Sequence, residues 1–196
     1  MPRLLLIRHG QSTWNAERRW QGHADPPLSE LGRSQAKAAA ASVGGVDAVV
    51  SSDLRRARET AEIVAAELGI GPVAAVEALR ERAAGEWTGL TREEIERGWP
   101  GAIEAGSHPR GYEGNDVLVA RVVPMLHAIA ERFRSALVVT HGGVIGAIEQ
   151  HLGAEHHRTP NLGGRVVRVG ADELALGEPI LLVDPHDVMV TSTPES

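Results

Sequence analysis

Two histidines in this chain of 196 residues stand in the same unusual setting. His9 follows the apolar run of LLLIRHGQSTWN, and His141 follows the apolar run of ALVVTHGGVIG; each is succeeded by glycine. One histidine after a strand is most simply a satisfied loop residue, but two in the same context point to a shared pocket. Glycine at both places is expected to let backbone N–H groups approach a ligand closely. Arg8 precedes His9, and SSDLRRARETA puts Arg55, Arg56 and Arg58 early in a helical segment whose positive end favours an anion. Two of those three arginines are expected on a solvated face, and spacing does not single out the third. Arginines, imidazoles and N–H donors together suit a doubly charged tetrahedral oxyanion, which means phosphate. Turnover needs a nucleophile, and without cysteine the choice is His, Ser, Asp or Glu. A histidine flanked by cations is biased to the neutral form that carries the attacking lone pair. A carboxylic acid must protonate the departing alkoxide. LRERAAGEWTG offers Glu81 and Glu86, equally placed by spacing alone.

These side chains need a scaffold. Leu4–Ile7, Asp47–Val50, Pro72–Val76 and Leu137–Thr140 read as strands. Ser29–Val43, Asp53–Leu68, Thr91–Arg97, Asn115–Phe133 and Gly143–Leu152 read as helices, with a capping box at Thr91 and Glu94. Pro124 is expected to kink the fourth of these or to mark its true start. Beyond Val166, VVRV and PILLV read as short strands joined near Gly177, and the tail TSTPES as loose. Alternating strands and helices predict an α/β three-layer sandwich with a mostly parallel sheet. His9 and His141 then fall beyond strand carboxyl ends, where such sheets bind ligands. A single domain over residues 1–196 is expected, with a lid-like insertion around residues 88–116, the region richest in Gly and Pro.

Composition narrows the function further. With 42% hydrophobic residues the chain can bury a core. The absence of cysteine excludes disulfides, thiolate catalysis and Cys-ligated zinc. A net charge of −6 argues against a nucleic-acid partner, and no apolar segment is long enough for a membrane span. The expected location is the cytoplasm. Nine histidines and the EHH at 155–157 raise a zinc hydrolase, but no His-Glu-x-x-His is present and surface histidines are the better reading.

The assembled blocks resemble the histidine phosphatase, or phosphoglycerate mutase-like, superfamily. LIRHGQSTWN is similar to its RHG signature, and QGHADPPLSELGRSQA, SSDLRRARETA, LRERAAGEWTGLTREE and VVTHGGVI are similar to its later blocks, in order. The resemblance implies that fold, with His9 as the phosphorylated nucleophile and Arg8 as the adjacent phosphate clamp. It implies Arg56 as the phosphate arginine, Glu81 as the proton donor and His141 as the second histidine. Asn15 matches a phosphate contact, Gly142 an N–H donor, and Gln21 and Gly22 positions bordering the substrate. No metal or cofactor is implied. Dimers are common in the family, so a homodimer fits it. Arg82, His23, His108 and Arg110 are candidates for the substrate side, each weighed against being an ordinary exposed residue.

The family contains phosphatases and mutases. Its cofactor-dependent mutases carry an insert with an arginine pair and a proline run, whereas SHPRGYEGNDV has neither, and WQGHAD stands where mutases have Thr-Gly-Trp. YEGN keeps Glu113 of a Gly-Glu-Ser motif but not its serine. The expectation is a phosphatase acting on a small phosphorylated metabolite, a phosphoglycerate-related or sugar phosphate ester. The alternative is a cofactor-dependent phosphoglycerate mutase. Every expected catalytic residue type is present, which argues against an inactive phosphate-binding relative.

Overall fold

A computed structural model describes residues 1–155, 158–171 and 173–184. Its sheet has the order β3-β2-β4-β1-β5-β6. The strands are β1 (Arg3–Arg8), β2 (Ala48–Ser52), β3 (Ala74–Val76), β4 (Ser135–Thr140), β5 (Gly163–Val169) and β6 (Leu174–Leu181). Strands β1 to β4 are mutually parallel, while β5 and β6 join antiparallel at one side. The helices are α1 (Thr13–Ala16), α2 (Glu30–Val43), α3 (Arg55–Leu68), α4 (Arg92–Gly98), α5 (Asn115–Arg132) and α6 (Gly142–His151). The expected mixed α/β fold with helices on both faces of the sheet is present.

The continuous apolar runs of β1 and β4 follow from that layering, because both faces of these strands are covered. Leu4, Leu6, Ala136 and Val138 face Leu118, Val122 and Leu126 of α5 and Ile145 and Ile148 of α6. Leu5, Ile7, Leu137 and Val139 face the small residues Ala36, Ala39 and Ala40 of α2 and Ala57, Ala61 and Val64 of α3. Alanine on both these helices lets them lie close together while covering the sheet.

Helix α5 runs through Pro124 from Asn115 to Arg132, so the proline is not its start. Four buried residues, Leu118, Val122, Leu126 and Ile129, hold the helix on the sheet across the missing hydrogen bond. Gly177 is not the turn between the last strands. It lies inside β6 opposite a register shift between Arg165 and Val167, and a Cβ there would stand 2.9 Å from that of Val166. The chain reverses between Val169 and Leu174 instead. TSTPES lies outside the described residues, as do His156 and His157. Among the described residues no helix is long and apolar enough to cross a membrane, and no group of His, Asp or Glu could hold a metal ion.

A smaller cluster beyond the sheet joins Trp20, Ala84, Trp87 and Ile95, with Leu90, Trp99, Ala102, Ile103 and Tyr112 against it. It anchors residues 88–112 to the loop after α1. The Thr91 and Glu94 capping box at the start of α4 is present.

Candidate active site

Register brings the two His-Gly pairs together. Arg8 of β1 pairs with Thr140 of β4, so His9 and His141 leave adjacent strands at the same end. The His9 N–H donates to the Thr140 carbonyl at 3.0 Å, and the two rings lie edge to face with centroids 5.2 Å apart. Both are buried.

The environment of His9 selects its tautomer. Nδ1 lies 2.6 Å from the Gly10 carbonyl, which can only accept, so Nδ1 carries the proton. Nε2 keeps its lone pair and accepts from Arg56 Nε at 3.2 Å. Burial first, then Arg56 and Arg8, hold the ring's pKa well below the usual imidazole value, against the opposing Gly10 hydrogen bond. His141 is likewise held well below its usual value, first by burial and then by Arg56, His9, Arg8 and Arg121. Neither ring nitrogen of His141 has a hydrogen-bond partner among the described residues.

The choice among the three arginines is now clear in structure. Arg56 is buried in the first turn of α3, while Arg55 and Arg58 are exposed. Besides His9, its guanidinium donates to the carbonyls of Ala24 at 2.7 Å and Gly22 at 2.9 Å. Arg8 is buried too and donates through Nη1 to the Thr159 carbonyl at 2.9 Å. Glu81 is buried and Glu86 exposed. The Glu81 carboxylate accepts from the backbone N–H groups of Gly143 (3.0 Å) and Arg82 (2.8 Å).

Asn15 and Gln21 are joined through Ser12. The Ser12 hydroxyl accepts from the Asn15 N–H and donates to Gln21 Oε1. Asn15 Oδ1 in turn accepts from the Ser12 N–H, closing the capping box of α1. The amide nitrogens of both side chains are buried without a hydrogen-bond partner among the described residues. Buried donors of this kind are costly unless an acceptor meets them, and a phosphate ester supplies acceptors.

The glycines act differently from expectation. The Gly10 N–H is taken by Thr60 Oγ1 at 3.0 Å. Glycine is required there because a Cβ would fall 2.6 Å from the Gly32 carbonyl oxygen on α2. At the other end Gly142 begins α6, but the Gly143 N–H goes to Glu81, and a Cβ on Gly143 would stand 2.3 Å from Glu81 Oε1. These glycines admit neighbouring protein groups.

Of the four substrate-side candidates, Arg82 is buried and His23, His108 and Arg110 are exposed. Arg82 donates to Asn115 Oδ1 (2.7 Å), and to the Tyr112 hydroxyl and the Glu113 and Gly143 carbonyls (3.3 Å each). Its Nε is buried without a partner among the described residues. His23 Nε2 donates to the Glu81 carbonyl at 2.7 Å. His108 stacks on Tyr112 at 4.0 Å, and partial burial with Arg82 nearby lowers its pKa. Sequence reasoning missed Asn161, whose side chain donates to the His9 carbonyl at 2.8 Å, as well as Thr60 and Thr159. They sit far from His9 in sequence, and only the fold brings them behind it.

This arrangement can bind a tetrahedral oxyanion, present a lone pair to phosphorus and hold a carboxyl group at the same sheet edge. The profile of the histidine phosphatase superfamily (branch 1) matches residues 4–167. A glucosyl-3-phosphoglycerate phosphatase from Mycolicibacterium vanbaalenii is 37% identical over 179 residues, covering 83% of this chain and 79% of that one. A 2,3-bisphosphoglycerate-dependent phosphoglycerate mutase from Methylobacterium radiotolerans is 34% identical over 201 residues, covering 91% and 94%. A mycobacterial glucosyl-3-phosphoglycerate phosphatase solved with VO3 superposes with a TM-score of 0.82 at 32% identity, covering 94% of this chain and 100% of the other. Profile, relatives and geometry agree: this chain belongs to the histidine phosphatase superfamily.

Proposed function

We propose that the chain hydrolyses a small phosphorylated metabolite through a phosphohistidine at His9. It is a phosphoric monoester hydrolase of its family, and the mutase alternative is less favoured. The observation that carries the mechanism is the tautomer of His9, with Nδ1–H bound to Gly10 and Nε2 left nucleophilic beside Arg56.

In the first step the Nε2 lone pair attacks phosphorus in line. The bond from phosphorus to the ester oxygen breaks, its electron pair stays with that oxygen, and Glu81 supplies the proton. Arg8, Arg56, His141 and the Asn15 amide hold the other oxygens as charge develops on them. In the second step water loses a proton to Glu81 and attacks phosphorus, and the electron pair of the P–N bond returns to Nε2. Gln21, Gly22 and Gly142 border the substrate. No step draws on a metal. The depressed pKa of His9 keeps the nucleophile neutral into the acid range, which supports an acid-phosphatase character.

The mycobacterial and Mycolicibacterium relatives support a phosphoglycerate-related or sugar phosphate ester as the substrate. Residues 88–116 serve as a lid over the substrate's non-phosphate half, supported by the aromatic cluster that anchors them. Against the mutase, the region after Trp99 lacks the arginine pair that would grip a bisphosphorylated cofactor.

The test is a metabolite panel assayed for phosphate release, with and without 2,3-bisphosphoglycerate and with EDTA. Expected are hydrolysis that survives EDTA and a His9→Ala variant several orders of magnitude slower. Strong mutase turnover dependent on the bisphosphate would overturn the assignment, and loss of activity in EDTA would overturn the metal-free scheme.

A further inference from the structure

Glu81 lies on a stretch that has no sheet ladder of its own. Residues 77–79 form a single 3-10 turn, and the chain from Arg80 to Ala83 is irregular. Its backbone groups must therefore find partners elsewhere, since unpaired buried carbonyls are costly. Three of its carbonyls find one residue, Arg121 of α5.

The Arg121 guanidinium is used on every side. Nη1 donates to the carbonyls of Ala78 at 2.7 Å and Arg80 at 2.8 Å. Nη2 donates to the carbonyl of Glu81 itself at 3.0 Å and to Glu113 Oε2 at 2.8 Å. Nε donates to Glu113 Oε1 at 2.8 Å, completing a bidentate pair. Glu113 then grips the far end of the same stretch. Its Oε2 accepts from the Ala83 N–H at 3.1 Å, and its own N–H donates to the Ala83 carbonyl at 2.9 Å. The intervening carbonyl of Leu79 accepts from Thr140 Oγ1 on β4. Both members of the pair are largely buried, with side chains 23% and 12% exposed. Holding three carbonyls of this stretch with one planar, rigid fork is a task lysine cannot perform equally.

We propose that Arg121 and Glu113 are positioning residues that aim the Glu81 carboxyl group at the leaving oxygen of the substrate. The inference rests on Glu81 being the proton donor in the reading above. Neither residue touches the reacting atoms. They act by fixing the backbone on both sides of Glu81, while Gly143 and Arg82 fix its carboxylate. A small misplacement of a general acid forfeits much of its contribution of roughly 10²–10⁴ in rate.

The experiment exploits leaving-group chemistry. p-Nitrophenolate departs without a proton, whereas an alkoxide needs one. kcat/KM is measured for p-nitrophenyl phosphate and for a simple alkyl phosphate, in the wild type and in Arg121→Lys, Glu113→Gln and Glu81→Gln. Either positioning variant is expected to lose about tenfold or more on the alkyl ester and far less on the nitrophenyl ester. Glu81→Gln is expected to show the same selectivity in larger measure. Equal losses on both substrates in Arg121→Lys and Glu113→Gln, with Glu81→Gln selective, would make the pair merely structural and overturn the proposal alone. Equal losses in Glu81→Gln would overturn the assignment of Glu81, and the proposal with it. Either positioning variant suffices if the other fails to fold.

Discussion

The protonation of His9, the proposed nucleophile, is set by burial and by three neighbours, two of them adjacent in sequence and one, Arg56, brought in by the fold. Burial and the cations Arg56 and Arg8 disfavour imidazolium, and the Gly10 carbonyl orients the ring. Because the folded pKa lies below the ordinary value near 6.5, His9 stays neutral as the pH falls through that value. The acid limb of kcat/KM is therefore expected well below pH 6.5. Arg56→Gln removes a charge that repels the proton, so the limb should move upward in pH as the rate falls; an unmoved limb would show that Arg56 does not act on this titration. The same shifts bear on stability. Below pH 6.5 the unfolded chain protonates His9 and His141 while the folded chain does not. Stability should therefore drop as pH falls, by about 1.4 kcal/mol per pH unit for each histidine until its folded pKa is reached. Urea unfolding from pH 7 to 5, compared with a His141→Asn variant, measures that slope. Spacing alone placed His9, Arg8 and His141 at strand ends but left Glu81 level with Glu86, and it was the family resemblance that chose Glu81. Only burial separates those two by physics.

At the scale of elements, the loop that carries the proposed nucleophile depends on a helix that contributes no side chain to the proposed chemistry. Helix α2 approaches the His9–Gln11 loop so closely that a Cβ on Gly32 would lie 2.0 Å from the Gln11 carbonyl oxygen. Backbone cannot yield as a flexible side chain would. Gly32→Ala should cost roughly 1–3 kcal/mol or more and lower kcat by displacing His9. A thermal melt and a phosphatase assay on the same preparation check it; unchanged values in both would show that the contact relaxes freely. The sequence marked Gly32 only as a residue in an alanine-rich helix, since a close approach between distant segments leaves no local pattern. Pro124 makes the converse point. The local rule expected a kink or a helix start there, but α5 begins nine residues earlier and runs through it, its buried side chains offsetting the lost hydrogen bond.

Taken as a whole, the molecule divides its core by task. Two apolar layers flank the sheet and hold the strand ends that carry His9 and His141. The aromatic cluster is separate and secures residues 88–112. Trp87 is its centre, 2% exposed and edge to face with Trp20, Trp99 and Tyr112. Trp87→Ala should cost about 3–5 kcal/mol. It should also raise KM for a metabolite substrate more than for inorganic phosphate as inhibitor, if that segment covers the non-phosphate half. Equal changes in both constants would place the segment's influence on the phosphate pocket itself.

The sequence by itself determined the layered α/β class, the parallel strands and the chemical types that meet at one sheet edge. Those features are written in periodicity and in strand ends, which are local. The family resemblance picked Arg56 and Glu81, but why they turn inward, why glycine follows each histidine and how Arg121 reaches Glu81 were decided by tertiary structure. Each depends on segments that meet across the sheet edge, and neither the distance nor the burial that selects them exists until the layers close.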